Sequence, residues 1–359
     1  MKIIKKILKW IGILLLSLLV IILISIIILV IKNKQFIGSP DELFVAYLNQ
    51  NKIVLDNNAY DTEKQLFDKD TYASKVILLG ESHGLADVQT IDKSLFLHLN
   101  QKTGLRYYVA EMDSLRADIL NQFLHEMPKD TALLKQVVLA IKQRIPQQSS
   151  IELYQKWSDI HDYNQTLPDS LKLSVIGIDT DFNTKSPIPR DSAMILNFKH
   201  IITQRGLENE QFYGLFGLFH VLQNGVNSNN FQPFAARLRS NNFGVKSILC
   251  MNIDSEAYFP ENNQYPTPPN EKIGLLNMDG PIVLAKGIND LKKASEKNTS
   301  TLFNISKENS PYRGSSKLIT SKSNFINQQI APYDKNLSTS DFVQYVILIR
   351  NSQALSPLK

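Results

Sequence analysis

An uncharged segment near the start of the chain limits the possible folds more than any other feature. From Trp10 to Ile31 no residue carries a charge, and only Gly12, Ser17 and Ser25 interrupt an apolar run of 22 residues. A helix of that length covers about 33 Å at ~1.5 Å per residue, which matches a hydrocarbon core of about 30 Å. Backbone at that depth must satisfy its own hydrogen bonds, so the run is expected to be one transmembrane helix, in contact with the lipid bilayer through residues 10–31. Lys2, Lys5, Lys6 and Lys9 precede the run, and Lys32 and Lys34 follow it. The larger positive cluster favours the cytoplasm, so the expectation is a single-pass protein with a cytoplasmic N-terminus and an extracytoplasmic soluble part. The competing reading is a cleaved signal peptide. Its apolar region spans about 7–15 residues and ends at a small-residue cleavage site, whereas Lys32-Asn-Lys-Gln-Phe36 follows here.

Charge bounds the partners. The formal net charge is +5, and setting aside the six lysines that flank the apolar run leaves −1 for the remainder. The basic balance therefore points to a membrane surface and not to nucleic acid, and no Arg/Lys patch interleaved with aromatics argues otherwise. Cys250 is the sole cysteine, which excludes both an intrachain disulfide and a lipid-attachment cysteine near the start.

Beyond the run, residues 35–74 are mostly polar, with an apolar stretch at Leu43 to Leu48, and read as a linker plus a first helix. Lys75 to Gly80 is a continuous apolar run flanked by glycine, as in a strand buried on both faces. Further strands are expected at Tyr107–Glu111, Leu173–Asp179, Phe212–Val221, Val245–Asn252 and Asp341–Arg350. Helical spacing appears at Val88, Ile91, Leu95 and Leu99, then at Leu115, Ile119, Phe123 and Met127, and helices are also expected over 131–143, 150–164 and 191–204. This alternation predicts an α/β fold: a mostly parallel central sheet with helices on both faces, preceded by one transmembrane helix. Three units follow, namely 1–34 (anchor), 35–74, and an α/β domain over 75–359 with an irregular insertion at 260–340, rich in Asn, Pro, Ser and Lys.

Polar residues gather where these strands end, the edge at which open α/β sheets bind ligands. The first strand runs into Gly80-Glu81-Ser82-His83-Gly84, the second into Glu111 and Asp113, the third into Asp179 and Asp181, and the fourth into His220. A histidine near neutral pKa can take a proton from water while a carboxylate orients its ring. Two histidines and a glutamate can instead hold a metal. Asp179 could equally cap the next helix. His98, His125, His161 and His200 fall within helical patterns and read as surface or hydrogen-bonded residues. The chain lacks G-x-S-x-G, H-E-x-x-H and a phosphate loop.

The pattern resembles the erythromycin esterase-like superfamily, which joins erythromycin esterases, haem-binding ChaN-like proteins and Tiki/TraB proteases. Val76-Ile-Leu-Leu-Gly-Glu-Ser-His-Gly84 resembles its first strand and Gly-Glu…His turn, and Tyr108-Val-Ala-Glu111 its second strand with a terminal glutamate. Trp157-Ser-Asp-Ile-His-Asp-Tyr-Asn164 with Leu173 to Asp179 is similar to the esterases' helix and Gly-x-Asp strand. Gly217-Leu-Phe-His-Val221 is similar to the late strand that delivers a second histidine. The paired Gly-x-x-His motifs, ending at His83 and His220, are the mark of the Tiki/TraB branch. The single residue between Glu81 and His83, Ser82, is the spacing of the ChaN-like branch. The resemblance implies catalytic roles for Glu81, His83, Glu111 and His220, with Ser82, Asp113, Asp179 and Asp181 lining a site for a small molecule or peptide. It implies either a hydrolase of esters, lactones or amides, or a haem or small-ligand binder without turnover. If a divalent metal is involved, its ligands would be His83, Glu111 and His220. The charge asymmetry around the apolar run is itself testable: a reporter fused after Lys359 is expected to be active outside the cytoplasm, and activity confined to the cytoplasm would reverse the orientation.

Overall fold

The computed structural model describes residues 2–55, 64–184, 186–227, 229–262, 266–324 and 328–359. Eight strands form one sheet: β1 (Lys52–Leu55), β2 (Val76–Glu81), β3 (Tyr107–Ala110), β4 (Ser174–Gly177), β5 (Phe212–Gly217), β6 (Val245–Ile253), β7 (Ser300–Asn304) and β8 (Tyr345–Arg350). Their spatial order is β1-β7-β8-β6-β2-β5-β3-β4. From β8 to β4 neighbouring strands are parallel, while β1 and β7 add an antiparallel edge. The parallel strands are the six read from the sequence. Each is apolar on both sides because each face is covered: Val76 and Leu78 enter one core, Ile77 and Leu79 the other.

The first core is packed by helices α2 (Glu42–Gln50), α7 (Arg190–Gln204), α8 (Phe234–Ser240) and α9 (Ile288–Ala294). The second lies under α3 (Ala86–Thr103), α4 (Ser114–His125), α5 (Thr131–Ile141) and α6 (Ile151–Gln165). Several helices start on side-chain caps: Asp41 for α2, Asp113 for α4, Asp130 for α5 and Ser150 for α6. Before them all runs α1 (Lys2–Ile37), which is long and apolar enough to cross a membrane, with none of its apolar window buried in the protein.

The structure departs from the sequence reading at the sheet edge and at strand ends. Segment 35–74 carries α2 but also β1, and segment 260–340, expected to be irregular, supplies β7 and α9. It also forms a small antiparallel sheet of Val283–Ala285, Ser321–Ser323 and Gln328–Ile330. These strands carry only short apolar runs, such as Ile53-Val-Leu55 in β1 and Val283-Leu-Ala285. Val54 in β1 is exposed, and β7 has only Leu302 and Phe303 as large apolar residues, so their pairing is imposed by a neighbour and not by their own pattern. The central strands also stop early. Glu111 and Asp179 lie just beyond β3 and β4, and Leu218–Val221 is a 3₁₀ turn in place of an extension of β5.

Close packing between β3 and β5 leaves no room for a side chain at Gly214, where a methyl group would sit 2.1 Å from the Val109 carbonyl oxygen. Gly214→Ala is therefore expected to destabilise the domain by about 1–3 kcal/mol. A wild-type midpoint in urea unfolding would contradict this packing.

Candidate functional site

The strand order places β2, β5, β3 and β4 side by side and parallel, so their carboxyl ends share one edge. Residues that follow these four strands converge there, as in other open α/β sheets. Because β5 inserts between β2 and β3, its terminal turn brings His220 between the groups contributed by those two strands.

Each histidine is held by a buried carboxylate. His83 Nδ1 lies 2.9 Å from Glu81 Oε1, which also accepts a hydrogen bond from the Gln148 side-chain amide. His220 Nδ1 lies 2.8 Å from Asp191 Oδ1, and that oxygen accepts from the Phe234 backbone N–H at 2.6 Å. A carboxylate only accepts, so each Nδ1 carries the proton and each neutral ring presents Nε2 as its lone pair. A methyl group on Gly217 would fall 3.3 Å from His83 Nε2 and 3.5 Å from His220 Cδ2. The two rings therefore flank a glycine that gives them space. Burial opposes the charge on His83, but the nearby Glu81, and Glu111 beyond it, outweigh burial and raise its pKa above the ordinary 6.5. Burial likewise opposes the charge on His220, and the hydrogen bond to Asp191 with the Glu111 charge again raises the pKa.

Between the histidines and β4 sits a guanidinium. Arg190, first residue of α7, donates from Nη2 to Glu111 Oε1 at 2.7 Å and from Nε to both Asp179 oxygens at 3.0 Å. Its Nη1 lies 3.5 Å from His220 Nε2. The other Glu111 oxygen accepts the Gly217 backbone N–H at 2.8 Å. Burial works against the charge on Arg190, but the two carboxylates overcome it and hold the group firmly protonated. Arg144 Nε lies 3.6 Å from Asp179 Oδ2, an oxygen that Arg190 also contacts.

The edge thus brings together Glu81, His83, Glu111, His220 and Asp179. Ser82 is half-buried in the turn between Glu81 and His83. Asp113 is elsewhere in role: buried, it caps α4 through Arg116 N–H, pairs with the Arg116 guanidinium at 2.6 Å and accepts from Phe182 N–H. Asp181 is exposed, and its side chain accepts from the Asn183 N–H. His98 is buried against Tyr72, and burial pushes its pKa down to about 4. His161 packs on Phe123, and His125 bonds the Leu173 carbonyl.

The proposed metal ligands His83, Glu111 and His220 do not make a metal set. Glu111 is engaged on both oxygens, and the position between Glu111 and His220 is held by the Arg190 guanidinium, a cation already. No cluster of three or more His, Cys, Asp or Glu with metal-binding geometry occurs among the described residues. For haem, His220 Nε2, the nitrogen that would bind iron, already lies 3.5 Å from the Arg190 guanidinium.

Arg190, Asp191 and Gln148 were missed from sequence. A signal for the first existed: a glutamate ending an apolar strand must find a cation or reach water, and Arg190 opens the helix after Asp179. Nothing local singled out Asp191 or Gln148.

No family model and no curated protein matches this sequence. Solved structures do. The crystal structure of a Bacillus cereus protein superposes with a TM-score of 0.60 at 12% identity, covering 89% of this chain and 100% of that one. A succinoglycan biosynthesis protein gives 0.60 at 11% identity, covering 88% and 98%. An erythromycin esterase mutant in its open conformation gives 0.57 at 10% identity, covering 84% and 98%. These likenesses establish a shared fold, which is the fold the sequence motifs implied.

Removing the guanidinium leaves Glu111 without its cation and Asp179 with only the more distant Arg144. Arg190→Leu is expected to cost about 3 kcal/mol of stability, with Arg190→Lys recovering part of it. Equal denaturation midpoints for both variants and the wild type would show that the ion cluster holds nothing together.

Proposed function

We propose that this protein is a membrane-anchored hydrolase in which a His/Glu cluster activates water to cleave an ester, lactone or amide. The observation that carries the reading is the pair of imidazoles, each tied through Nδ1 to a buried carboxylate and each facing the space beside Gly217 with its other edge. The fold shared with an erythromycin esterase supports the hydrolase class. In this reading α1 is the tether, its lysine-rich end stays in the cytoplasm, and the domain after it works outside.

His83 Nε2 takes a proton from water as the water oxygen bonds to the carbonyl carbon. Negative charge develops on the carbonyl oxygen, and Arg190, with protonated His220, supplies positive charge for it. The proton returns to the leaving oxygen or nitrogen as the bond to carbon breaks. Glu81 keeps the His83 tautomer, and Glu111 holds Arg190 against the Gly217 backbone. Ser82 and Asp181 remain proposed substrate contacts at the lip, whereas Asp113 acts by shaping the start of α4. The substrate is a small molecule or a peptide.

Because His83 must be neutral to act, kcat/KM is expected to rise with pH through an apparent pKa above 6.5, then fall as His220 loses its proton. The two values belong to the coupled pair. Glu81→Gln removes the charge that raises His83 and should move the rising limb to lower pH; an unmoved limb would separate Glu81 from the base. His83→Ala and Glu111→Gln should each lower turnover by about a hundredfold or more in a panel of esters, lactones and peptides. Full activity in either variant removes the mechanism. Chelators should leave turnover unchanged, since Arg190 supplies the cation.

A further inference from the structure

The stretch that joins the apolar helix to the domain is bonded to the domain at several points between Asn33 and Asp41. Asn324 Nδ2 donates to Asn33 Oδ1 at 3.1 Å, the Gly287 N–H to the Ile37 carbonyl at 2.9 Å, and Asn289 Nδ2 to the Gly38 carbonyl at 2.6 Å. The Lys322 ammonium lies 4.8 Å from the centre of the Phe36 ring. Asp41 N–H donates at 2.7 Å to Asp290, a fully buried carboxylate that pairs with Lys317 at 2.9 Å. Gly38 turns the chain between α1 and α2 with φ +76°, a conformation that favours glycine. No free linker separates the anchor from the fold.

This geometry sets which face of the domain meets the bilayer. The apolar run ends at Ile31, so Asn33 lies about 3 Å and Ile37 about 9 Å past the hydrocarbon edge, at ~1.5 Å per residue. The polar headgroup layer extends roughly 5–8 Å beyond that edge. Asn324, bonded to Asn33, is therefore within the headgroup layer and Gly287, bonded to Ile37, is at its outer margin, so the small sheet whose strands include Ser321–Ser323 and Val283–Ala285 meets the headgroups. We infer that the protein is seated on its membrane through this small sheet, with the side chains of Lys286 and Lys322 among lipid phosphates. The inference rests on the reading of α1 as a transmembrane helix. Lys32 and Lys34 lie exposed on the adjoining end of α1, and Lys286 is exposed next to the Gly287–Ile37 bond, so the positive charge is continuous from the anchor onto the sheet. Ser321 and Ile330 of this sheet also wall an apolar hollow against Leu218 and Phe219, the residues just before His220. The seating therefore sets the distance of the catalytic edge from the bilayer.

The buried Cys250 makes the chain suited to single-site labelling. In a Cys250→Ser background, Lys34→Cys, Lys286→Cys and Lys135→Cys each receive an environment-sensitive fluorophore, in full-length protein reconstituted into phosphatidylcholine/phosphatidylglycerol vesicles carrying headgroup nitroxides. Lys135 is exposed on α5, on the opposite side of the sheet. Emission at Lys34 and Lys286 should at least halve, with Lys135 unchanged. Quenching at Lys34 but not Lys286 would overturn the seating while leaving the anchor intact. No quenching at Lys34 would remove anchor and seating together. Quenching at all three positions would mean unspecific adsorption, and a Lys286 probe quenched only after dilution of protein in the bilayer would mean that a second copy covers this face; either result overturns the seating.

Discussion

The Arg190 guanidinium is the charge on which the rest of the site depends. Glu81, Glu111, Asp179 and Asp191 are all buried at one end of the sheet, and gathering that much negative charge away from water is costly without nearby cations. Arg190 neutralises Glu111 and Asp179 directly. The two histidines answer Glu81 and Asp191, and their pKa values rise because the cluster remains negative when both rings are neutral. The arrangement that stabilises the carboxylates is thus the one that raises both imidazole pKa values.

That cluster exists because of strand order. Glu81, Glu111 and His220 are far apart in the chain, and the insertion of β5 between β2 and β3 makes them neighbours. Close backbone approach then matters at two glycines. Gly214 lets β5 lie against β3, and Gly217 gives room to both imidazoles while its N–H holds Glu111. The antiparallel edge supplies none of these charged groups, and the small sheet reaches the site only through the hollow it walls against Leu218 and Phe219. The small sheet and the residues that follow its strands carry the bonds to the end of α1.

The legibility of the fold followed burial. The six parallel strands were readable because a strand covered on both faces must be apolar throughout, as in Val76-Ile-Leu-Leu79. β1 and β7 were not: β1 is an edge strand with Val54 exposed, and β7, between β1 and β8, has only Leu302 and Phe303 as large apolar residues, so both take their structure from the strands that pair with them. Within the site, Glu81, His83, Glu111 and His220 were readable because polar residues stood against apolar strand ends. Asp113 and Asp179 looked alike by that criterion. Asp113 caps a helix and pairs with Arg116, whereas Asp179 grips Arg190.

By itself the sequence determined the elements whose signal is local: the apolar helix with its flanking lysines, the buried strands, and the presence of titratable groups at their ends. Only the tertiary structure decided how those groups are paired. Arg190 and Asp191 start a helix far from Glu111 and His220 in sequence, and a charge partner across the sheet leaves no periodic trace in the chain. The same holds for the bonds from Asn33, Ile37 and Gly38 to residues near 290 and 324, which turned an expected linker into a fixed joint. Hydrophobic patterning is written residue by residue, whereas ion pairing and docking are set by which segments the fold brings within a few ångströms.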